Sequence, residues 1–288
     1  MRYIKKSIFL NSIVCPSLGW LERHDQVQQT PTLGEQFLME QGMEIERRAR
    51  EIYLKGILID ERDVESALEM TKGIISDMSI SVIFSAFFQI DNFRTKSDIL
   101  IRKADDDWHM TEVKSSVNDK PEFIDDMAYT TMVLRSCGLN VSSISLLLVS
   151  KDFRLGMDNK DLFIEIDHTE EVLQKVEEFE PLWEFVDKIT GQDVQPKSNL
   201  VFECRNCPLF KECLGSGIEN HIFDIPRLSA SKFKQLSEAG IYKIEDIPPT
   251  FSLTVNQNIV KTSVQDEKPF IGEGLEKELK SLIGRLIV

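Results

Sequence analysis

The sequence contains no uninterrupted apolar stretch of about 18 residues, the length that a membrane-spanning helix needs, which excludes a transmembrane helix. Positive charge is also in short supply: 34 Lys and Arg stand against 48 Asp and Glu, for a net charge of −14. Proteins that coat nucleic acid non-specifically neutralise phosphates with Lys and Arg, so this balance argues against such a role. It leaves room for a local basic groove on an acidic body, and basic clusters do occur at Arg47, Arg48 and Arg50, at Arg94 and Lys96, and at Arg102 and Lys103. The N-terminal phrase is basic and then apolar, but Asn11 and Ser12 interrupt it and no small-residue cleavage site follows. A secretory leader is therefore not expected, and the cytoplasm is the expected location. Low-complexity segments are absent, and His24, His109, His168 and His221 are scattered without the spacing of metal ligands.

Cysteine is sparse but unevenly placed. Cys15 stands alone near the start, whereas Cys204, Cys207 and Cys213 form a C-x2-C-x5-C cluster far downstream. In a reducing compartment such a cluster points to a metal site rather than to disulfides. Cys137 follows an apolar helical run and reads as a small buried hydrophobe. If Cys15 does not complete the set, His221 is the next candidate ligand.

A chain of this length suffices for one well-cored domain of about 200 residues plus a small appendage. Helices are expected over 5–14, 32–55 and 62–75, the second from the helical spacing of Phe37, Ile45, Ala49, Ile52 and Tyr53. Strands follow over 80–90, 92–103 and 107–116, the last two separated by an acidic turn. A helix over 121–137 ends at Gly138, strands cover 141–150 and 162–166, and a helix runs over 170–189. This order predicts a mixed α/β core in which a meander is followed by a crossover. A polar linker over 191–199 leads to the cysteines. Beyond it, 228–240 reads as a helix with a short continuation over 241–247, and Leu275, Leu279, Leu282 and Leu286 share one face of a last helix, expected either to pack back onto the domain or to meet a partner.

The chemistry-bearing residues lie on the meander. Residues two apart on a strand share a face, so Glu112 and Lys114 point to one side and Val113 to the other. The preceding strand brings Asp98 within reach in a suitable register. The two carboxylates with the Val113 carbonyl would offer oxygen ligands to Mg²⁺ or Mn²⁺, and Lys114 would stabilise charge developing on a phosphodiester. The alternative is a polar hairpin face carrying an ordinary salt bridge. Against it, Asp98 adjoins the buried-type run Ile99-Leu100-Ile101, where an unpaired carboxylate is costly.

Asp98 on one strand, Glu112-Val113-Lys114 on the next and flanking helices together resemble the PD-(D/E)xK nuclease superfamily, with Ser97 where the motif's proline would stand. Gly42-Met43-Glu44-Ile45-Glu46 resembles a motif of the RecB-like branch and implies Glu46 as a further metal ligand. Asp125-Asp126-Met127-Ala128-Tyr129 resembles that branch's Gln-x-x-x-Tyr motif, with Asp125 in place of glutamine, and implies Tyr129 in the catalytic set. Lys6-Ser7-Ile8-Phe9-Leu10 with Cys15-Pro16, followed by Cys204, Cys207 and Cys213, resembles the iron–sulfur staple of RecB-like and CRISPR-adaptation nucleases. The resemblance covers roughly residues 1–220. It implies a restriction-endonuclease-like mixed sheet core over residues 1–222, a 4Fe-4S cluster (or zinc) on the four cysteines, and a small helical region over 223–288. The activity it implies is Mg²⁺- or Mn²⁺-dependent cleavage of DNA, exonucleolytic on single-stranded ends. A catalytically silent nucleic-acid-binding or assembly subunit of the same fold, and a zinc-stapled protein unrelated to nucleases, are the alternatives.

Overall fold

Valine, isoleucine and phenylalanine concentrated between residues 82 and 102 build two adjacent inner strands of a six-stranded sheet in the computed structural model, which describes residues 2–27, 30–53, 55–272, 274–275 and 279–280. Contacts divide the chain into two units, Met1–Lys197 and Ser198–Val288. The division falls inside the expected polar linker, so residues 198–222, the cysteine trio among them, belong with the second unit. Among the described residues no helix is long and apolar enough to cross a membrane.

The first unit opens with helices α1 (Lys6–Val14), α2 (Pro16–Arg23) and α3 (Leu33–Arg50). Strand β1 (Ile57–Leu58), helix α4 (Val64–Ser76) and the meander β2 (Val82–Ile90), β3 (Phe93–Arg102) and β4 (Asp107–Lys114) follow. Then come α5 (Pro121–Ser136), β5 (Asn140–Val149), β6 (Phe163–Asp167), α6 (Thr169–Phe179) and α7 (Trp183–Gly191). The strands lie side by side in chain order. The pairs β2–β3, β3–β4 and β5–β6 are antiparallel, whereas β1–β2 and β4–β5 are parallel because α4 and α5 return the chain across the sheet. This is the expected mixed α/β core with a meander and a crossover.

Two apolar layers sandwich the sheet. On one side Ile8, Phe9, Ala67, Met127, Tyr129 and Val172 from the surrounding helices pack with Ile83, Leu100, Met110 and Leu146 of the strands. On the other, Ala49 of α3 packs on Val82, Phe84, Ile99, Val113 and Leu147, with Ile45, Ile52 and Tyr53 at the margin. Only that C-terminal half of α3 reaches the sheet: Phe37, expected on the buried face, is 59% exposed. A capping box at Thr32, in which Glu35 N–H donates to the Thr32 hydroxyl and the Glu35 carboxylate accepts from Thr32 N–H, starts the helix out in solvent.

The helix expected over 170–189 is two helices. Pro181 has no N–H to give and lies in the three-residue 3-10 turn Glu180–Leu182 that separates α6 from α7. The expected end of α5 is met at Gly138, whose φ of +92° suits glycine.

The second unit has its own core, in which Ile222, Phe223, Ile225, Leu228, Phe233, Leu236, Ile244 and Ile247 are buried. Among its described residues the helices are α8 (Phe210–Cys213), α9 (Ala230–Glu238) and α10 (Val255–Gln265). The short continuation expected over 241–247 is reduced to a three-residue 3-10 turn, Ile244–Asp246, set off from α9. Gly240 adopts φ +70°, and Lys243 pairs with His221 in an isolated antiparallel bridge. The last helix expected around Leu275–Leu286 lies for the most part outside the described residues, Leu282 and Leu286 included.

Candidate active site

The cleft of interest opens where β3 and β4 part. Their ladder runs from Arg102↔Trp108 to Ile99↔Thr111, and one step further brings Asp98 abreast of Glu112. There the Asp98 side chain takes over from the backbone: its Oδ2 accepts the Val113 N–H at 2.9 Å. Opposite Asp98 on β2 stands Ser85, skipped between the pairs Phe84↔Ile99 and Ala86↔Ser97, with a left-handed φ of +56°. A non-glycine residue there stores local strain, and it sits where the pleat must be re-aimed.

Glu46, Asp98, Glu112, Val113 and Lys114 all line this cleft, of about 320 Å³, together with Lys6. Val113 and Ile99 pack on the α3 side, whereas Met110 and Leu100 pack on the side of α1 and α5. Alternation from Met110 and Val113 therefore sends Glu112 and Lys114 toward α1 and α5. Glu46 arrives from α3, with its Oε2 3.9 Å from Lys96 Nζ. The four acidic and basic residues singled out in the sequence are thus brought to one cleft.

Their electrostatics differ sharply. Burial, and then the negative charges of Glu112 and Glu46, push Asp98 up to about 8, which the Val113 N–H and Lys96 only partly offset. Burial works against ionised Glu112 as well, but the ammonium groups of Lys6 and Lys114 more than offset it and hold that carboxyl below its usual value. Both ammonium nitrogens lie 3.0 Å from the same Glu112 Oε1. Lys114 is held above the ordinary lysine value despite burial by Glu112 and Asp126, the latter at 2.6 Å. Lys114 is therefore a cation at neutral pH.

Two residues that the sequence did not single out complete the cleft. Lys6, the first residue of α1, lies 106 positions before Glu112. Asp126 of α5 contacts both lysines. Its neighbour Asp125, which stands at the glutamine position of the motif, is turned to Lys175 at 3.9 Å. Tyr129 is not brought into the cleft. Its ring is fully buried, and its hydroxyl donates to the carbonyls of Ile4 at 2.6 Å and Arg94 at 3.1 Å, so the group serves to hold backbone segments together. The spacing that pointed to Tyr129 identified the right helix, one turn away from its cleft-facing acid.

Within either unit, no three of the described His, Cys, Asp or Glu side chains are grouped closely enough to hold a metal ion as placed. The acidic set is nevertheless right in kind for Mg²⁺ or Mn²⁺. All its donors are carboxylate oxygens, and their mutual repulsion, visible in Asp98, is what a divalent cation relieves. The carboxylates are turned instead to partners already at hand, Glu112 to two ammonium groups and Asp98 to a backbone N–H.

The cysteines lie in both units. Cys15 joins α1 to α2, where its N–H donates to Asn11 O and its carbonyl accepts from Leu18 and Gly19. In the second unit Cys204 is buried on a short 3-10 turn, Cys207 follows that turn, and Cys213 ends α8 with Sγ 3.0 Å from Ser198 Oγ. His221 Nδ1 accepts the Phe223 N–H at 3.1 Å, which places the neutral ring's proton on Nε2 and makes it a poor ligand through that nitrogen.

No family model matches the chain, and no curated protein matches its sequence. Among solved structures it is similar to a candidate exonuclease from Eubacterium rectale, with a TM-score of 0.45 and 12% identity over 78% of this chain and 93% of that one. It is also similar to the alkaline exonuclease LHK-Exo from Laribacter hongkongensis, with a TM-score of 0.36 and 12% identity over 66% of this chain and 90% of that one. The complex of LHK-Exo with dAMP gives a TM-score of 0.38 at 13% identity over the same shares. Similarity at this level bears on neither fold nor activity; the residues of the cleft do.

Proposed function

We propose that this chain is a metal-dependent nuclease of the PD-(D/E)xK superfamily, with a restriction-endonuclease-like core of the RecB-like branch. It hydrolyses phosphodiester bonds of DNA, as an exonuclease on single-stranded ends. The observation that carries this reading is the meeting of Asp98, Glu112, Lys114 and Glu46 in one cleft at the parting of β3 and β4. A polar hairpin face with a surface salt bridge would need neither a carboxylate pushed up to about 8 nor a third acid delivered from a separate helix.

In this reading Glu46, Asp98 and Glu112, with the Val113 carbonyl, are the ligands of Mg²⁺ or Mn²⁺. A bound ion supplies charge neutralisation and a more acidic water. Lys114, kept protonated and aimed by Asp126, stabilises negative charge that builds on the phosphate oxygens during attack. Cys15, Cys204, Cys207 and Cys213 are the proposed ligands of a 4Fe-4S cluster, with zinc the alternative, because four thiolates suit either.

The test is cleavage of end-labelled single- and double-stranded DNA and of RNA in Mg²⁺ or Mn²⁺. Lys114→Ala and Glu112→Ala should each lose about 100-fold or more in turnover while circular dichroism shows a folded chain at the assay temperature. Turnover that survives either change would end this assignment of the site. One observation favours a second reading, a catalytically silent nucleic-acid-binding or assembly subunit: Glu112 is already neutralised by two ammonium groups. Single-strand binding without cleavage in Mn²⁺ would select it.

A further inference from the structure

Glu112 is met by a second lysine, from the N-terminal end of the first unit's sequence. Lys6 Nζ lies 3.0 Å from Glu112 Oε1, the same oxygen that Lys114 engages, and 3.5 Å from Asp126. This is not the chance excursion of a loose terminus. The Ile4 N–H donates to Asn92 O at 2.7 Å, and the Ile4 carbonyl accepts from the Arg94 N–H at 2.8 Å and the Tyr129 hydroxyl at 2.6 Å. On the other side of Lys6, Ile8 and Phe9 are fully buried. The ammonium is delivered to Glu112 from a segment fixed before and after it.

The two lysines are held unequally. Lys114 has Asp126 at 2.6 Å in addition to Glu112, whereas for Lys6 that second distance is 3.5 Å. The Lys6 side chain is also the more exposed, 32% against 21%. If one cation must release Glu112, Lys6 is the more weakly tethered, and its four-carbon stem lets it withdraw while the backbone stays pinned.

We infer that Lys6 is the exchangeable counter-cation of Glu112: it neutralises the carboxylate until a divalent cation takes its place, and its released ammonium then faces the substrate phosphate. The inference rests on the nuclease reading for both the ion and the phosphate. Like charges crowding one carboxylate repel, so an ion arriving at Glu112 and the Lys6 ammonium exclude each other. The withdrawn ammonium remains in a cleft lined also by Lys5, Arg94 and Lys96, where an anion is attracted.

The experiment uses the full chain. Mn²⁺ binding without DNA is measured by electron paramagnetic resonance of the free ion for the parent, Lys6→Gln and Lys6→Arg. Lys6→Gln should bind Mn²⁺ about tenfold more tightly, because the competing charge is gone, whereas Lys6→Arg should stay near the parent. On a labelled oligonucleotide, Lys6→Gln should raise KM more than it lowers kcat. A merely structural role would weaken Mn²⁺ binding together with the melting temperature. Unchanged or weaker Mn²⁺ binding by a folded Lys6→Gln overturns the inference. A second measurement needs no variant: saturating Mn²⁺ should increase acylation of the Lys6 amine in the parent, read by mass spectrometry, and indifference to Mn²⁺ overturns the inference as well. A parent that cuts DNA while Lys6 labelling ignores Mn²⁺ refutes this proposal alone. A parent that binds Mn²⁺ and exposes Lys6 but never cuts refutes the nuclease reading alone. Absence of any Mn²⁺ binding overturns both.

Discussion

Asp98 carries an electrostatic burden that solution measurements will register without any substrate. Burial and the charges of Glu112 and Glu46 raise its carboxyl to about 8 in the folded protein, against about 3.9 in an unfolded chain. The folded state thus keeps a proton that the unfolded state has lost. The stability from this group is fully present below about pH 4 and is lost as pH rises through about 8. Glu112, held below its usual value, changes its contribution only in the acid range and does not mask the effect. The metal-free protein should therefore melt at a lower temperature at pH 9 than at pH 6, and Asp98→Asn should flatten that dependence and raise the melting temperature at pH 9. A parent whose melting temperature is level across this range, or an Asp98→Asn variant that steepens it, would show that the repulsion is absent.

At the scale of elements, α3 is held in two ways along its length. Its C-terminal half is fastened by Ala49 to the sheet, while its first turns stand exposed and depend on the box between Thr32 and Glu35. Thr32→Ala should cost about 1 kcal/mol locally, seen as faster amide exchange over residues 33–40 with the global melting temperature unmoved; a uniform change in exchange would mean that the helix is fastened elsewhere. The elements were legible in the sequence where local periodicity and punctuation agree, as in β2 to β4 and in α5 with Gly138 at its end. They were not legible where a single residue overrides a periodic pattern, as Pro181 does between α6 and α7, or where an element as short as the two-residue β1 has no period to show. The cleft followed the same division. Asp98, Glu112 and Lys114 are marked by strand spacing and Glu46 by its motif, so all four could be named in advance. Lys6 and Asp126 stand inside phrases that resemble family motifs, yet only contacts across the fold bring their side chains to the cleft. Tyr129 shows the converse: its spacing matches a motif, yet its hydroxyl is occupied by the carbonyls of Ile4 and Arg94.

For the whole molecule, the cysteines make a prediction that the acidic cleft does not. Anaerobic preparations should carry iron and acid-labile sulfide, or zinc, and Cys204→Ser should lose that metal; a parent free of all three would end the staple idea. Chain separation bears on the order in which the sheet and the cleft assemble. The hydrogen bond from Tyr129 to Ile4 joins positions 125 residues apart, and that from Lys6 to Glu112 joins positions 106 apart. Closing such distances costs more entropy than pairing neighbouring strands, so β2, β3 and β4 can form before the segment around Ile4 docks. A chain halted at that stage would have Asp98, Glu112 and Lys114 together on the meander, yet lack one of the two cations that make Glu112 tolerable in the interior. Native-state hydrogen exchange should accordingly find the Ile4 and Arg94 amides opening together, at a lower free energy than the amides of β3 and β4 beyond Ile99. The segment that supplies Lys6 would then be the last part of the first unit to arrive and the first to leave, a clasp whose departure disarms the centre while the sheet is still intact.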